Sequence, residues 1–242
     1  MNDLTILTYN LLYNKAHSEL LGILKKEKPD VVCVQEFIAN QTDIAKIEAL
    51  GYSIADYSHS FYKFFRFYSI ATFYDPKKFT IANGEKISLK RGLYEFILFV
   101  LGMGKTERTA LNTTLIHKES NKTIDIYNLH LTPLTGTNGV RKHQIKTTFE
   151  HFKRSDKINP AIVTGDFNYP YKRKGLEEIT EKYGYKEATN DLFFTIEGIY
   201  FTFFRLKAKT DYIFYDHLKK KSVRRLSRKV SDHFPILAKF TL

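Results

Sequence analysis

Two short polar stretches decide the fold of this chain: Gly165-Asp166-Phe167-Asn168 and Ser231-Asp232-His233-Phe234-Pro235. The first directly follows the apolar run Ala161-Ile162-Val163-Thr164, which is typical of a buried strand. Strand ends are where a scaffold delivers polar side chains into a cleft, because polar groups within a core need internal partners. The two stretches therefore predict a functional site at one end of a β-sheet.

Three further polar signatures occur at the ends of predicted strands. They are Tyr9-Asn10, Gln35-Glu36 and Asn128-Leu129-His130-Leu131. Taken singly, each has an ordinary explanation, such as a turn residue, a solvated strand end or a core histidine. Only the five signatures together, in this order, point to chemistry.

The apolar periodicity around these signatures predicts many strands and a few helices. Helices are predicted at 18–26, 43–50, 140–152 and 176–183. Strands are predicted at 4–9, 31–34, 69–74, 79–87, 109–116, 123–131, 161–164, 212–215 and 236–240. This order favours two packed sheets with helices on their outer faces.

Composition favours one packed domain that spans residues 1–242, since 43% of the residues are apolar and 26% are charged. The single cysteine, Cys33, lies in an apolar run and predicts no disulfide framework. The N-terminus shows no secretory signal, and the apolar stretch from Leu93 to Met103 is about half the ~20 residues that cross a bilayer. We expect a cytoplasmic monomer, with a secreted mature form left open.

A net charge of +12 predicts attraction to polyanions, whether nucleic acid, anionic membrane lipid or phosphorylated small molecules. Seven basic residues and no acid occupy residues 219–229, directly before the second decisive stretch. Further basic residues lie at 172–174 and 141–143. These residues either surround the cleft and neutralise backbone phosphates or form an ordinary solvated face.

The five signatures together resemble the endonuclease/exonuclease/phosphatase family of metal-dependent phosphoesterases, which includes pancreatic deoxyribonuclease, abasic-site endonucleases, sphingomyelinases and inositol-polyphosphate 5-phosphatases. The resemblance spans Tyr9 to Pro235. It implies a four-layer α/β sandwich of two mixed, largely antiparallel sheets flanked by helices. It also implies a divalent cation: hard oxygen ligands favour Mg²⁺, with Mn²⁺ as a substitute, over zinc.

The resemblance assigns a role to each signature. Glu36 would be the principal metal ligand, assisted by Asn10 and Asp232. Asp166 would orient or deprotonate the attacking water, and Asn168 would donate a hydrogen bond to the phosphate.

The histidines and one arginine complete the set that the resemblance implies. His233 would serve as base, acid or phosphate-binding cation, with Asp211 fixing its tautomer. Whether Asp166 or His233 starts the proton transfer stays open. His130 would bind phosphate or protonate the leaving group, and Arg108 is either a phosphate clamp or a surface arginine.

Differences between this sequence and individual branches of the family reduce the number of expected substrate classes. Abasic-site enzymes have an acid where Leu12 stands and a tyrosine near His130, and 5-phosphatases differ after Asn168 and contain tryptophan, which this chain lacks. Deoxyribonuclease-like enzymes support the first histidine with a glutamate, and none lies between Phe61 and Tyr74. A nuclease or a sphingomyelinase-like lipid phosphodiesterase remains.

We expect a Mg²⁺-dependent nuclease of low sequence specificity. The lipid alternative depends on the stretch from Leu93 to Met103, either a protruding membrane loop or a helix that caps the sandwich. The segment from Phe61 to Tyr68 interleaves rings with cations, which suits core packing, base stacking or a membrane interface. A third hypothesis is a catalytically silent module that only binds polyanions.

Overall fold

A computed structural model describes residues 3–90, 108–134, 136–153, 159–200 and 204–242, except for the side chains of residues 152, 153, 199, 200, 204 and 205. The apolar stretch from Leu93 to Met103 lies outside the described residues, so both expectations for it stay predictions. No helix among the described residues is long and apolar enough to cross a membrane.

The described chain forms fourteen strands, four α-helices and a 3₁₀-helix at Thr189–Asp191. The helices are α1 (His17–Glu27), α2 (Gln41–Glu48), α3 (Asn138–Lys153) and α4 (Lys174–Lys182). The first seven strands are β1 (Asp3–Asn10), β2 (Val31–Phe37), β3 (Ser53–Lys63), β4 (Arg66–Tyr74), β5 (Phe79–Leu89), β6 (Arg108–His117) and β7 (Thr123–His130). The remaining strands are β8 (Ala161–Asp166), β9 (Lys186–Glu187), β10 (Ile196–Tyr200), β11 (Phe204–Ala208), β12 (Asp211–Asp216), β13 (Lys219–Arg225) and β14 (Ile236–Thr241).

Each predicted helix and strand overlaps an observed element of the same type, so these predictions are confirmed. The strands that the periodicity did not predict are β3, β9, β10, β11 and β13. The most instructive of these is β13, in which five of the seven residues are basic, with little apolar alternation, and which lies at the edge of a sheet. Lysine-rich strands are common at edges because charge discourages pairing with other chains.

Two six-stranded mixed sheets form the sandwich, and β10 pairs with β11 in a separate two-stranded antiparallel sheet. The first sheet has the order β13-β14-β1-β2-β4-β3, and the second has the order β5-β6-β7-β8-β12-β9. In each sheet one central pair is parallel, β1 with β2 and β7 with β8, and the other neighbours are antiparallel. The predicted sandwich of two mixed sheets is confirmed.

The core lies in three layers between the sheets and their helices. Residues such as Ile6 of β1 and Ile126 of β7 fill the space between the sheets. Leu20 of α1 packs on the outer face of the first sheet. Phe149 of α3 and Leu176 of α4 pack on the outer face of the second sheet. Helix, sheet, sheet and helix therefore form the predicted four layers.

Strand alternation places polar residues above the inter-sheet core. Successive side chains of a strand point to opposite faces, so Asn10 lies on the same face as Ile6, and His130 lies on the same face as Ile126. Asp166, the last residue of β8, pairs in register with both His130 and Asp211. The ends of the central strands thus meet at one edge of the sandwich.

Candidate active site

Asp166 lies at the centre of a buried cluster of polar side chains. Its Oδ2 accepts a hydrogen bond of 3.1 Å from Asn10 Nδ2. The Nε2 atoms of His130 and His233 lie 3.7 and 3.8 Å from the same oxygen. Burial raises the pKa of Asp166 to about 7, against the opposing effect of His233. A carboxylate with that pKa can accept a proton near neutral pH.

Asn168 forms a tight turn with Asp166. Its backbone N–H donates to Asp166 Oδ1 at 2.9 Å, and its side-chain Nδ2 donates to the Leu131 carbonyl at 3.3 Å. Its φ of +51° lies in the left-handed region, which asparagine tolerates better than most residues. The turn holds the Asn168 amide beside the central carboxylate.

Glu36 reaches the cluster because β2 contains a β-bulge. The register of β2 with β4 shifts between Val34 and Phe37, and Glu36 has φ +56°. Strict alternation would point Glu36 away from the side of Gln35, and the bulge turns it back. Its Oε2 accepts from Tyr13 N at 2.7 Å, its Oε1 lies 3.4 Å from Asn10 Nδ2, and burial raises its pKa.

His233 is held by a carboxylate from the other sheet. Its Nδ1 lies 2.9 Å from both carboxylate oxygens of Asp211. Burial favours the neutral imidazole, but the charges of Asp211 and Asp166 outweigh it and raise the pKa of His233 to about 10. His233 is therefore an imidazolium at neutral pH.

Two threonine hydroxyls orient Asp211. Thr195 Oγ1 donates to Asp211 Oδ2 at 2.7 Å and Thr210 Oγ1 donates to the same oxygen at 2.9 Å. The backbone N–H groups of Asp211 and Thr210 donate in turn to Thr195 Oγ1, each at 3.0 Å. Nothing in the sequence singles out Thr195, because it meets Asp211 only after the chain folds back so that Thr195 N donates to the Ala208 carbonyl.

His130 has different surroundings, although it faces the same carboxylate. Burial lowers its pKa well below the ordinary value, and Arg108 and His233 lower it further. Its Nδ1 has no hydrogen-bond partner among the described residues, which agrees with the missing glutamate noted in the sequence. The carboxylates of Glu36 and Asp166 lie 3.8 and 3.7 Å from Nε2, beyond hydrogen-bond length. His130 is therefore neutral.

Arg108 is a buried residue of the site and not a surface arginine. Its guanidinium donates to Ser60 Oγ at 3.1 Å and lies 5.4 Å from the ring centroid of Phe61. The Phe61 ring in turn packs edge-on against His130, with centroids 5.6 Å apart. A fixed cation and a ring thus flank His130.

Several hydrogen bonds that the sequence did not predict hold the loop that carries Asp232 and His233. Ser231 Oγ donates to the Asn10 carbonyl at 2.8 Å. The guanidinium of Arg228 donates to the carbonyls of Ser231 and Glu197. The Glu19 carboxylate accepts from the backbone N–H groups of residues 229 and 230 at 2.7 and 3.1 Å. Asp232 lies at the rim of the cluster, 3.9 Å from His233 Nε2.

One polar contact joins the two sheets beneath the cluster. Gln35 Nε2 donates to Asn128 Oδ1 at 2.8 Å, and Asn128 Nδ2 donates to the carbonyls of Val34 and Ala71 at 3.2 and 2.9 Å. All of these groups are buried. The contact fixes the half of the site on the first sheet against the half on the second.

Two sets of side chains could hold a metal ion. Ligand atoms of Asp166, Asp211 and His233 lie within 4.8 Å of one another. However, Asp211 already accepts from His233 and from two hydroxyls, so an ion there would have to displace these bonds. Glu36, Asn10 and Asp232 are the second set, which the resemblance indicated. Here Asn10 turns its Nδ2 toward Glu36 and Asp166 while its Oδ1 accepts from Leu12 N, so an ion at this set requires the Asn10 amide to be turned over.

The basic residues of 219–229 do not form a free cationic track. Lys220, Lys221 and Arg224 make ion pairs with Asp191, Asp3 and Glu27. The other two arginines of the run, at 225 and 228, donate to backbone carbonyls and stack on phenylalanine rings. Most cations of this run therefore have partners within the protein.

Arg141 likewise uses its guanidinium in hydrogen bonds within the protein. It is fully buried and donates to the carbonyls of Thr132, Pro133 and Gly136. Its role is to order the loop that precedes α3.

Comparison with known proteins extends over nearly the whole chain. Residues 7–233 match the family model described as the Endonuclease/Exonuclease/phosphatase family. No curated protein matches the chain.

Solved structures share the fold at low sequence identity. The human Nocturnin catalytic domain with bound sulfate is 20% identical, with a TM-score of 0.80 over 99% of this chain and 94% of that one. The mannosyl-6-phosphatase of Bacteroides thetaiotaomicron is 18% identical, with a TM-score of 0.75 over 99% and 100%. ANGEL2, a 2′,3′-cyclic phosphatase, is 16% identical, with a TM-score of 0.75 over 98% and 95% in complex with adenosine-2′,3′-vanadate.

Proposed function

Because the chain belongs to the endonuclease/exonuclease/phosphatase family and is a hydrolase of phosphate esters, we propose that it is a Mg²⁺-dependent nuclease of low sequence specificity. The observation that carries the proposal is the arrangement around His130. There the Arg108 guanidinium and the Phe61 ring flank a cluster suited to phosphate chemistry. A cation beside a ring suits a nucleotide, which has a charged phosphate and a flat base.

The residues of the cluster fit a hard divalent cation. Glu36 and Asp232 supply carboxylate oxygens, and Asn10 would supply its amide oxygen once the amide is turned over; these are ligands that Mg²⁺ prefers. Glu36 would be the principal ligand, with Asn10 and Asp232 assisting. When bound, Mg²⁺ would neutralise charge on the phosphate or the leaving oxygen.

The remaining residues divide the work of hydrolysis. Asp166, with its raised pKa, accepts a proton from the attacking water as the new oxygen–phosphorus bond forms and the ester bond breaks. His233, held as an imidazolium by Asp211, stabilises the negative charge that develops on the phosphate. Asn168 and the neutral His130 donate hydrogen bonds to phosphate oxygens.

A polynucleotide substrate also agrees with the net charge of +12 and with the adenosine-2′,3′-vanadate bound by ANGEL2. The basic run at 219–229 adds no support, since most of its cations have partners within the fold. The mannosyl-6-phosphatase has the same fold, so the fold by itself does not distinguish a polynucleotide from a sugar phosphate.

The test is hydrolysis with Mg²⁺ and with EDTA, using supercoiled DNA, single-stranded RNA, sphingomyelin and mannose 6-phosphate side by side. Each substrate is also given to Glu36→Gln and to a control, Glu48→Gln, whose carboxylate is exposed at the end of α2. We expect Mg²⁺-dependent cleavage of a polynucleotide that Glu36→Gln abolishes and Glu48→Gln leaves unchanged.

The other outcomes each contradict part of the proposal. Turnover of sphingomyelin or of mannose 6-phosphate without cleavage of either polynucleotide would show a different substrate class. Cleavage that survives EDTA, or that survives Glu36→Gln, would remove the metal site from the proposal. Tight binding of polynucleotide with no turnover would favour the silent module.

A further inference from the structure

The hairpin of β3 and β4 ends in two exposed phenylalanines. Lys63 pairs with Arg66, so Phe64 and Phe65 form a two-residue turn. Both have positive φ, +51° and +59°, as in a type I′ turn. Asparagine and glycine are preferred at such positions, and bulky residues there are strained. Strain that persists in a structure often marks a functional segment.

These rings are also unusually open to solvent. Phe64 is 64% exposed and Phe65 is 92% exposed. Phe65 is almost uncovered and Phe64 is covered only in part, so burial in this chain contributes little to the stability of either side chain. Their strain and their exposure are independent observations that point in the same direction.

A lysine ammonium accompanies the rings. Lys63 Nζ lies 4.5 Å from the ring centroid of Tyr13 and 4.9 Å from that of Phe64, and it donates to the Tyr13 hydroxyl at 2.7 Å. Arg66 on the other side of the turn is exposed. The tip therefore combines flat apolar surface with positive charge.

Short contacts connect the tip to the catalytic cluster. The Tyr13 ring packs edge-on against Phe64 with centroids 5.5 Å apart, and Tyr13 N donates to Glu36. In the same hairpin, Phe61 packs against both Tyr13 and His130. Tyr13 and Phe61 thus join the tip to the cluster, so a strand whose phosphate lies at the cluster has the tip as a neighbouring surface.

We propose that Phe64, Phe65 and Lys63 form a stacking site for an unpaired nucleobase of the substrate strand. The inference rests on the proposed nuclease function and adds that the enzyme engages a single-stranded segment beside the scissile phosphate. Stacking on an aromatic ring is tolerant of sequence, because every base has a flat face. The lysine adds attraction to the neighbouring phosphate.

A lipid bilayer fits the same tip less well. Insertion of Phe64 into hydrocarbon would carry the Lys63 ammonium, which lies against that ring, out of water. A nucleotide satisfies both groups, since the base covers the ring and the phosphate meets the charge.

The experiment compares binding of a fluorescent twelve-nucleotide oligothymidylate with binding of an abasic oligomer of equal length, by anisotropy in EDTA. The variant F64N/F65G keeps the turn with residues that prefer it and removes both rings. Phe193→Ala is the control, because Phe193 is 96% exposed and lies outside the hairpin.

We expect the wild type to bind oligothymidylate about tenfold more tightly than the abasic oligomer, in line with the stacking of one base. F64N/F65G should lose this difference while its thermal midpoint stays equal or rises, and Phe193→Ala should match the wild type. Lys63→Gln should weaken binding of both oligomers and lower the salt dependence by about one counterion. An unchanged preference in F64N/F65G overturns the proposal.

Two further arms separate the remaining outcomes. If the wild type sediments with phosphatidylcholine and phosphatidylserine vesicles, F64N/F65G does not, and the preference for bases is absent, the tip is a lipid contact and the proposal fails. Mg²⁺-dependent cleavage of the same oligothymidylate is measured separately. A base preference without cleavage supports the stacking site and contradicts the proposed function, whereas cleavage without a preference does the reverse.

Discussion

His233 and His130 face the same carboxylate oxygen of Asp166 from two sides, yet their surroundings make His233 positively charged and leave His130 neutral. On the His233 side, Asp211 lies 2.9 Å from Nδ1 and raises the pKa to about 10. On the His130 side, burial and the Arg108 cation lower the pKa, and Nδ1 has no partner among the described residues. The same residue type thus supplies a charged pole and a neutral pole within one site.

The largest effect on activity should follow from removing the carboxylate that keeps His233 charged. Asp211→Asn should lower kcat by about 10³–10⁴-fold, because His233 loses both its charge and its fixed tautomer. Asp216→Asn is the control, since that carboxylate pairs with His217 at the opposite end of β12. Hydrolysis of the preferred substrate with Mg²⁺ is the measurement, and an Asp211→Asn rate within tenfold of the wild type would contradict the role of the pair.

Replacing the neutral histidine, His130, should have a smaller effect on activity. His130→Asn should lower kcat by about 10²-fold, because a hydrogen-bond donor to phosphate is displaced but no charge is removed. His117→Asn is the control: His117 is also buried, but its Nδ1 bonds to Ser120 in a distant turn. The salt dependence of substrate binding should stay unchanged in His130→Asn, and a reduced dependence would show that His130 carries a charge.

The charge difference should also appear in the pH dependence of folding stability. The raised pKa of His233 stabilises the metal-free fold fully below the unfolded value of about 6.5, and this contribution is lost as pH rises toward 10. One such proton lowers the free energy of unfolding by up to about 1.4 kcal/mol per pH unit across that window. Urea unfolding at pH 6, 8 and 10 should show a smaller decline in Asp211→Asn, and parallel declines would refute the pairing.

The smallest effect should come from the cation beside His130. Arg108→Gln should raise the pKa of His130 toward its ordinary value and reduce kcat/KM by about tenfold, because a fixed guanidinium is lost from the phosphate site. Nuclear magnetic resonance titration of the histidine in metal-free protein measures the first change and hydrolysis measures the second. Ser60→Ala, which removes only a hydroxyl that accepts from Arg108, should leave both near the wild-type values.

Much of the cluster was predictable because apolar runs that form strands can be recognised over a few neighbouring residues. The runs that contain Ile6 and Ile126 are typical of strands and end in the polar residues Asn10 and His130, which predicts these side chains at the strand ends. Asp166 likewise ends the apolar run of β8. The two sheets and their outer helices were predicted on similar grounds.

Other parts of the site could not be predicted in this way. Glu36 breaks the alternation and enters the site only through the bulge in β2. Thr195 meets Asp211, 16 positions away in the chain, only because the intervening segment folds back on itself, and the basic run at 219–229 has ion-pair partners on segments far away in the chain. Each of these contacts depends on residues that are distant in sequence, so no local pattern records them.

The sequence by itself determined which chemical groups stand at the strand ends and in what order, because apolar periodicity and turn residues act over a few neighbouring positions. The tertiary structure alone decided the charge of the two histidines, the orientation of Glu36 and which arginine lies beside His130. The physical reason is that burial and charge act through space: Asp211 makes one histidine charged, and burial, with the cation of Arg108, makes the other neutral, only because folding brings these surroundings together.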